Sequence, residues 1–229
     1  MEAEMKILNQ ALKEGRFTLT EYESKQVLAA YNLPVTREEL VSSPEDLLKA
    51  AGHIGYPLVI KGCSAEIAHK TEKGLIRVDV RNDKEATAAF REISAAMNGA
   101  SGGAVLVQQM VKGQRELVMG LTRDAQFGPC VMFGLGGIFT EILKDTAFRV
   151  APLGKQDALD MMGEIKACKI LEEIRGMAAA DKDMLAEMLI TIGKIGIEND
   201  IIKEIDINPV IISGGKPVAV DALVVLQKS

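Results

Sequence analysis

The first half of the chain alternates between segments with helical and with strand-like spacing of apolar residues. Residues 18–35 (TLTEYESKQVLAAYNLPV) predict a helix that begins at a capping box of Thr20 and Glu23 and stops before Pro34. A second helix is predicted at SSPEDLLKAAG, with Ser43 as its N-cap. The segments YPLVIK and GLIRVDV follow, and the strict alternation in the latter predicts a strand.

The remaining pattern mixes helices with hairpins. An amphipathic helix, KEATAAFREISAAM, is expected behind a cap at Asp83, and GAVLVQQMV predicts a strand. ELVMGLT and GPCVMFGLGG predict a hairpin, and two helices are expected near 156–168 and 181–199. The chain closes with IIKEIDINPVII, the turn SGGK and PVAVDALVVL, which predict a second hairpin without a crossover helix. This order predicts an α+β fold whose two subdomains meet near residue 108.

Composition excludes several classes of protein. Hydrophobic residues make up 48% of the 229 residues, which favours a packed core over disorder. The net charge is −5 and basic blocks are missing, which disfavours a nucleic-acid partner. No apolar run is long enough for a membrane helix or a signal peptide, so we expect a soluble cytoplasmic protein. Two histidines and three scattered cysteines offer no transition-metal cluster.

The last predicted hairpin brings acidic and amide side chains together. Side chains alternate along a strand, so Asp206 and Asn208 project from the same face. If residues 213–216 form the loop, Asn208 lies opposite Asp221, although a bulge at Pro209 would shift this register. Such oxygen donors suit Mg²⁺, and facing acids without a cation would repel. The alternative is a solvated hairpin face.

A lysine ends one of the apolar strands. Lys61 follows PLVI, and a lysine at a strand end can place its charge on a phosphate, although such residues are often merely solvated. The sequence contains no Walker motif. GLGGIF is a poor dinucleotide fingerprint because Phe139 replaces the third glycine, but its backbone N–H groups remain candidates for binding an anion.

These pieces together resemble a known family. YPLVIK, LVQQMVKGQRE and EIDINPVII with VAVDAL resemble, in their order and spacing, the ATP-grasp fold, in which two α+β subdomains clamp ATP. The strings LTEYESKQVLAAYNLPV, AEIAHKTEKGLI, RDAQFGPCVMFGLGGIFTEILKDTAFRVAPL and IRGMAAAD are similar to the nucleotide-binding β subunit of ADP-forming acetyl-CoA synthetases, relatives of succinyl-CoA synthetase. The resemblance implies a first domain, 1–107, with an N-terminal helix and a mobile histidine loop, and a second domain, 108–229, with the Mg²⁺ hairpin.

The resemblance also implies roles for individual residues. Lys61 would hold nucleotide phosphates, and Glu116 would accept hydrogen bonds from the ribose hydroxyls. The hinge that hydrogen-bonds adenine through its backbone would consist of Gln108, Gln109, Met110, Val111 and Lys112. Asn208 and Asp221 correspond to Mg²⁺ ligands, with Asp206 as a helper.

Other residues of the resembling segments have less definite places. Gly136, Gly137 and Glu141 fall in a segment typical of the subgroup, without an assigned role. Arg149 either counters phosphate charge or forms a surface salt bridge. His53 has no counterpart in the family and is expected to pack or cap at a helix end.

His69, in GCSAEIAHKTEKG, matches a histidine that this subgroup carries in a mobile loop. The implied reaction is acyl-CoA + ADP + phosphate ⇌ carboxylic acid + CoA + ATP through phosphohistidine intermediates, with His69 relaying phosphate to Mg·ADP. About five residues join His69 to either flanking glycine, an arm of roughly 15 Å when extended, which suits a carrier. The alternative is a structural histidine.

The family also needs a CoA-binding region with its own histidine, for which we expect this chain to have no room. The chain is therefore expected to be one subunit of an α2β2 enzyme, with a CoA-binding α subunit as its partner. Two alternatives remain open, both with His69 structural: another ATP-grasp carboxylate ligase and a regulatory nucleotide-binding subunit. Trapping of acid-labile phosphate on His69 would separate the first alternative from the relay.

Overall fold

Helices and antiparallel strands alternate along the chain. The computed structural model describes residues 2–65, 74–97, 103–137 and 144–227. The helices are α1 (Glu2–Lys13), α2 (Glu21–Ala30), α3 (Pro44–Ile54), α4 (Asp83–Ala96), α5 (Lys155–Glu164) and α6 (Lys182–Glu198), with a 3₁₀ helix at Cys168–Leu171. The strands are β1 (Glu38–Val41), β2 (Leu58–Cys63), β3 (Ile76–Val80), β4 (Ala104–Gln109), β5 (Arg115–Asp124), β6 (Gly128–Leu135), β7 (Thr146–Val150), β8 (Ile202–Ser213), β9 (Lys216–Ala219) and β10 (Leu223–Leu226).

The chain forms two compact units. The smaller unit contains Thr20–Glu23 and Thr36–Met110, and the larger unit contains Met1–Leu19, Ser24–Val35 and Val111–Ser229. The predicted domains, 1–107 and 108–229, differ from these units mainly at the N-terminus. Most of the N-terminal segment belongs to the larger unit because its apolar side chains are buried there.

The smaller unit is a four-stranded antiparallel sheet covered by two helices. Its strand order is β1-β4-β2-β3, and α3 and α4 bury their apolar faces against it. Ser43 caps α3 as predicted, since its side chain accepts a hydrogen bond from the Asp46 N–H. The predicted cap of α4 at Asp83 is wrong: Asn82 accepts from the Glu85 N–H instead, while Asp83 accepts from the Tyr56 hydroxyl across 2.8 Å.

The larger unit is built on a six-stranded antiparallel sheet. Its order is β10-β8-β5-β6-β7, and β9 pairs with β8. Helices α1, α2, α5 and α6 contribute to one core, in which Leu8, Leu28, Phe133 and Ile192 are fully buried. The mixed α+β class expected from the sequence is therefore confirmed.

The N-terminal segment continues the sheet beyond β10. The Leu19 N–H donates to the Val224 carbonyl across 3.0 Å, and the Leu226 N–H donates to the Phe17 carbonyl across 2.7 Å. These bonds flank an isolated bridge between Thr18 and Val225. The backbone of β10 is therefore paired on this side as well as with β8.

Several predicted elements are present, with changed bounds. The hairpin of β5 and β6 pairs as expected, and the predicted last strand is divided into β9 and β10. The helix expected near 156–168 ends at Glu164, and a 3₁₀ helix follows. The short strands β1 and β7 were not predicted. In the parts of the chain that are described, no helix has the length and apolarity needed to cross a membrane.

Candidate functional site

Lys61 lies in the middle of the smaller unit's sheet and is buried. Its backbone pairs with Leu106 on one side and Ile76 on the other. The ammonium donates to the Glu21 carboxylate across 2.7 Å, and the two side chains are only 3% and 1% exposed. Lys61 is therefore not a solvated residue at a strand end, which was the alternative interpretation of the sequence. Sequence reasoning missed Glu21, although a buried lysine requires an acidic partner.

Glu21 is held in place by the start of α2. The Thr20 N–H donates to the Glu23 carboxylate across 2.8 Å, and the Glu23 N–H donates to the Thr20 hydroxyl across 3.2 Å. This pair is the capping box that the sequence predicted. It fixes the first turn of α2, in which Glu21 is the first helical residue.

The expected adenine hinge, Gln108–Lys112, follows β4. The N–H groups of Gln109 and Met110 already donate to the carbonyls of Arg37 and Pro57, across 2.9 and 3.3 Å. In the described chain the N–H groups of Val111 and Lys112 have no backbone acceptor. As far as the described residues show, those two groups are therefore the candidates in this segment for donating to a ligand.

Glu116 lies on β5 against the glycine pair that follows β6. The Gly136 N–H donates to the Glu116 carbonyl across 2.9 Å. Gly137 has a φ of +65°, and a Cβ atom there would lie 2.2 Å from Glu116 Oε2. A side chain at position 137 would therefore collide with the carboxylate while adopting an unfavourable backbone conformation. The sequence analysis assigned no role to these two glycines, whereas the structure packs them against Glu116.

Asn208 contacts the same glycine pair. The Gly137 N–H donates to Asn208 Oδ1 across 3.3 Å. The N–H groups of Gly136 and Gly137 are thus bonded to protein acceptors, so the anion-binding role considered for them is not seen. Glu116, Gly137 and Asn208 form one cluster in the larger unit.

A bulge in β8 presents Asn208. Against β5, Leu117 pairs with Val210 and Met119 with Ile207, so Asn208 and Pro209 both lie opposite a single β5 residue. The bulge considered at Pro209 is therefore present, but it disturbs the pairing with β5. Bulges of this kind bend a strand and re-aim a side chain.

The register of the last hairpin follows the prediction on both sides of the bulge. Val210 pairs with Ala219 on one side, and Asp206 pairs with Leu223 on the other. The Val220 N–H donates to the Pro209 carbonyl across 3.0 Å. Asp221 lies in the short connection between β9 and β10, next to this hydrogen bond.

Helix α2 fixes the connection that carries Asp221. The ammonium of Lys25, which is fully buried, donates to the Val220 carbonyl across 3.2 Å. The Val224 N–H donates to the Ser24 hydroxyl across 3.0 Å. The backbone on either side of Asp221 is therefore held by side chains that the sequence analysis did not single out.

Asp206 carries a perturbed carboxyl group. Burial is the main cause that raises its pKa to about 6, and the charges of Glu204 and Asp221 add to the shift. Among the described residues no group of three or more His, Cys, Asp or Glu side chains could hold a metal ion. Two carboxylates and the Asn208 amide are instead oxygen donors of the kind that Mg²⁺ takes together with phosphate and water.

The remaining candidates lie elsewhere. Arg149 forms the surface salt bridge that was one of its alternatives, donating to the Glu164 carboxylate across 3.0 Å. The exposed His53 side chain lies 3.2 Å from Glu39 Oε1 instead of capping its helix. His69 and Glu141 fall outside the described residues.

Comparison with known proteins gives concordant results. The ATP-grasp domain model matches residues 10–226. The β subunit of acetate–CoA ligase [ADP-forming] I of Pyrococcus furiosus is 42% identical over 224 residues, which are 96% of this chain and 96% of that protein.

Two solved structures of one synthetase are also similar. Acetyl-coenzyme A synthetase 1 of Ca. Korarchaeum cryptofilum, described as dinucleotide forming, in complex with coenzyme A, Ca-AMPCP and HgCl+, has a TM-score of 0.93 at 41% identity, covering 97% of this chain and 99% of that one. The same synthetase with coenzyme A and Mg-AMPPCP, its phosphohistidine segment pointing towards the nucleotide binding site, has a TM-score of 0.89 at 40% identity, covering 98% of this chain and 100% of that one. The resemblance seen in the sequence is confirmed: this chain belongs to the ATP-grasp family, among the β subunits of ADP-forming acetate–CoA ligases.

Proposed function

We propose that this chain is the nucleotide-binding subunit of an ADP-forming acyl-CoA synthetase, in which His69 relays phosphate to ADP. The observation that carries the proposal is the 42% identity to the Pyrococcus β subunit over 96% of both chains. The acetate–CoA ligase names of the relatives favour acetyl-CoA as the acyl donor. The buried lysine and the Glu116–Gly137–Asn208 cluster are compatible with this activity.

The nucleotide would be bound through its phosphates, its base and its ribose. The Lys61 ammonium supplies a fixed positive charge for the phosphates. The N–H groups of Val111 and Lys112, which have no backbone acceptor among the described residues, would donate to adenine. The Glu116 carboxylate would accept from the ribose hydroxyls.

Magnesium would be held by Asn208 and Asp221, with Asp206 as a further oxygen donor. The ion neutralises charge on the transferred phosphoryl group when it is bound. The chain's own contribution is to keep these oxygen atoms in place through the Gly137 N–H and the Lys25 ammonium.

In each step of the proposed reaction, one bond forms as another breaks. Phosphate displaces CoA from the acyl-CoA, which yields an acyl phosphate. A neutral imidazole nitrogen of the partner subunit's histidine then attacks phosphorus, forming a P–N bond as the carboxylate leaves. The neutral imidazole of His69 attacks the same phosphorus next, so that its own P–N bond forms as the partner's P–N bond breaks. An oxygen of the ADP β-phosphate finally attacks the same phosphorus, the P–N bond breaks, and ATP and neutral His69 are released.

A CoA-binding α subunit would complete the enzyme. The P. furiosus relative is described as a β subunit, which implies such a partner, and we propose an α2β2 assembly. In that assembly the acyl and CoA chemistry occurs on the partner, and His69 receives phosphate from the partner's own histidine.

The test is co-purification with a CoA-binding subunit, followed by an assay of ATP formation from acetyl-CoA, ADP and phosphate. His69→Ala should abolish ATP formation and acid-labile phosphate on this chain, while ADP affinity stays within about twofold, since the relay histidine is not a nucleotide ligand. His53→Ala is the matched control, because its side chain is exposed and pairs only with a surface acid in the described structure.

Full ATP formation by His69→Ala would refute the relay. Release of free acyl phosphate without any phosphohistidine would instead indicate a different ATP-grasp carboxylate ligase. Nucleotide binding without turnover, in the presence of the partner, would indicate a regulatory subunit.

A further inference from the structure

Glu21 and Lys61 form an ion pair inside the smaller unit. The carboxylate oxygen lies 2.7 Å from the ammonium, and both side chains are almost fully buried. A lysine and a glutamate are seldom buried to this extent unless they are paired. Burying these two charges costs desolvation free energy, which the ion pair offsets.

Both ends of the Lys61 side chain are fixed. Its backbone is paired on both sides within the sheet, with Leu106 and Ile76. Its ammonium is held by Glu21, which stands on the first turn of a capped helix. An ammonium group carries three donors, so one lysine can donate both to a carboxylate and to a phosphate oxygen.

We propose that Glu21 is a positioning residue for nucleotide binding, whose carboxylate holds the Lys61 ammonium in place, aimed at the phosphates of the bound ADP or ATP. This inference rests on the proposed function, because it takes Lys61 as a phosphate ligand. Glu21 itself does not contact the nucleotide. It acts only through Lys61.

Loss of the Glu21 carboxylate should weaken the binding of ligands that carry phosphate groups and not the binding of other ligands. Without the Glu21 carboxylate, the buried ammonium loses the partner that fixes its position and moves towards water, which weakens its attraction for phosphates. Adenosine lacks phosphates, so its affinity should not depend on the pair. A general loss of structure would instead weaken the binding of both ligands.

The experiment measures the affinity of the full 229-residue chain for ADP and for adenosine by titration calorimetry. Lys61→Met should weaken ADP binding about 10- to 100-fold, the range for a lost hydrogen bond to a charged group. Glu21→Gln should weaken it about tenfold, and the double variant should be no worse than Lys61→Met, since coupled residues are not additive. Adenosine affinity should stay within about twofold in all three variants.

Glu23→Gln is the matched control. Glu23 lies on the same helical turn and accepts from the N–H and hydroxyl groups of Thr20. Glu23→Gln should therefore disturb the start of α2 without a selective loss of affinity for ADP. If Glu21→Gln does not fold, as judged by circular dichroism, Glu21→Asp takes its place. The shorter side chain keeps the negative charge but holds it farther from Lys61, so the affinity for ADP should fall selectively, by less than in Glu21→Gln.

The outcomes separate the two proposals. Unchanged or tighter ADP binding by Glu21→Gln, with weaker binding by Lys61→Met, would overturn the role of Glu21 and leave Lys61 as a phosphate ligand. Unchanged ADP binding by Lys61→Met would refute the phosphate role of Lys61 itself. Equal losses for ADP and adenosine in Glu21→Gln would show a merely structural role.

Discussion

The backbone N–H of Gly137 donates a hydrogen bond to the side-chain oxygen of Asn208 across 3.3 Å. The same glycine lies so close to Glu116 that a Cβ atom would be 2.2 Å from its carboxylate. One residue without a side chain therefore contacts both the proposed ribose acid and a proposed Mg²⁺ ligand. A change at this position should affect both kinds of binding together.

Gly137→Ala is predicted to weaken ADP binding at least about tenfold and to raise the Mg²⁺ concentration needed for tight binding, because the methyl group displaces Glu116 and strains a backbone that has positive φ. Calorimetric titration of ADP at a series of Mg²⁺ concentrations measures both effects. Gly163→Ala is the control, since nothing lies within 4 Å of its added Cβ. An ADP affinity equal to wild type would contradict the expected collision.

Lys25→Met is predicted to lower the free energy of unfolding by about 1–3 kcal/mol, because the half-buried Val220 carbonyl loses a hydrogen bond to a buried ammonium. Since this carbonyl precedes Asp221, Mg²⁺-dependent ADP binding should weaken as well. Urea unfolding and the Mg²⁺ titration measure the two changes. Lys194→Met, at an exposed position of α6, should leave both unchanged. Wild-type stability of Lys25→Met would mean that the bond to Val220 contributes little.

Asp206→Asn is predicted to change how stability depends on pH in chelator-treated protein. The native pKa of Asp206 is raised from 3.8 to about 6, so the folded chain binds this proton more tightly than the unfolded chain. Wild-type stability should therefore fall as pH rises from about 4 to 6, whereas the Asn variant lacks this loss.

The difference between the two proteins should reach roughly 2–3 kcal/mol in favour of Asp206→Asn at pH 7 and vanish near pH 4. Urea unfolding at several pH values measures it. Glu173→Gln, at an exposed position, is the control. Parallel profiles for wild type and Asp206→Asn would show that this carboxyl group is not the cause.

Arg115→Lys is predicted to destabilise the fold by roughly 1–3 kcal/mol, because an ammonium cannot reproduce the fork of a guanidinium. Arg115 is buried and donates to the carbonyls of Ile170, Glu172 and Ala178. Thermal and urea unfolding measure the loss, with the exposed Arg175→Lys as the comparison. Equal stability of the two variants would argue against the fork as the reason for an arginine at position 115.

Local signals in the sequence predicted local structure well. The capping boxes and the hairpin register are fixed by residues a few positions apart, so Thr20 with Glu23 and the SGGK turn could be identified directly. Lys61 was identified because a charge follows an apolar run. Its partner Glu21 was missed because the two are 40 residues apart and meet only in the folded chain.

The same limit applies to the proposed Mg²⁺ ligands. Strand alternation and the hairpin register predict that Asn208 and Asp221 lie near each other. They do not predict which residues hold these two in position. Lys25 and Val220 are 195 residues apart, and Gly137 reaches Asn208 across 71 residues. Strand β7, five residues long, offered too little alternation to predict.

The pairing of residues 17–19 with β10 has a consequence for how the protein avoids self-association. An exposed strand edge presents unpaired N–H and carbonyl groups on which another chain can build a sheet. Here the hydrogen bonds from Leu19 to Val224 and from Leu226 to Phe17 occupy that edge. A chain shortened by its first 19 residues would expose the edge of β10, on which other copies could add a strand and aggregate. The N-terminal segment therefore protects the C-terminal strand from intermolecular pairing.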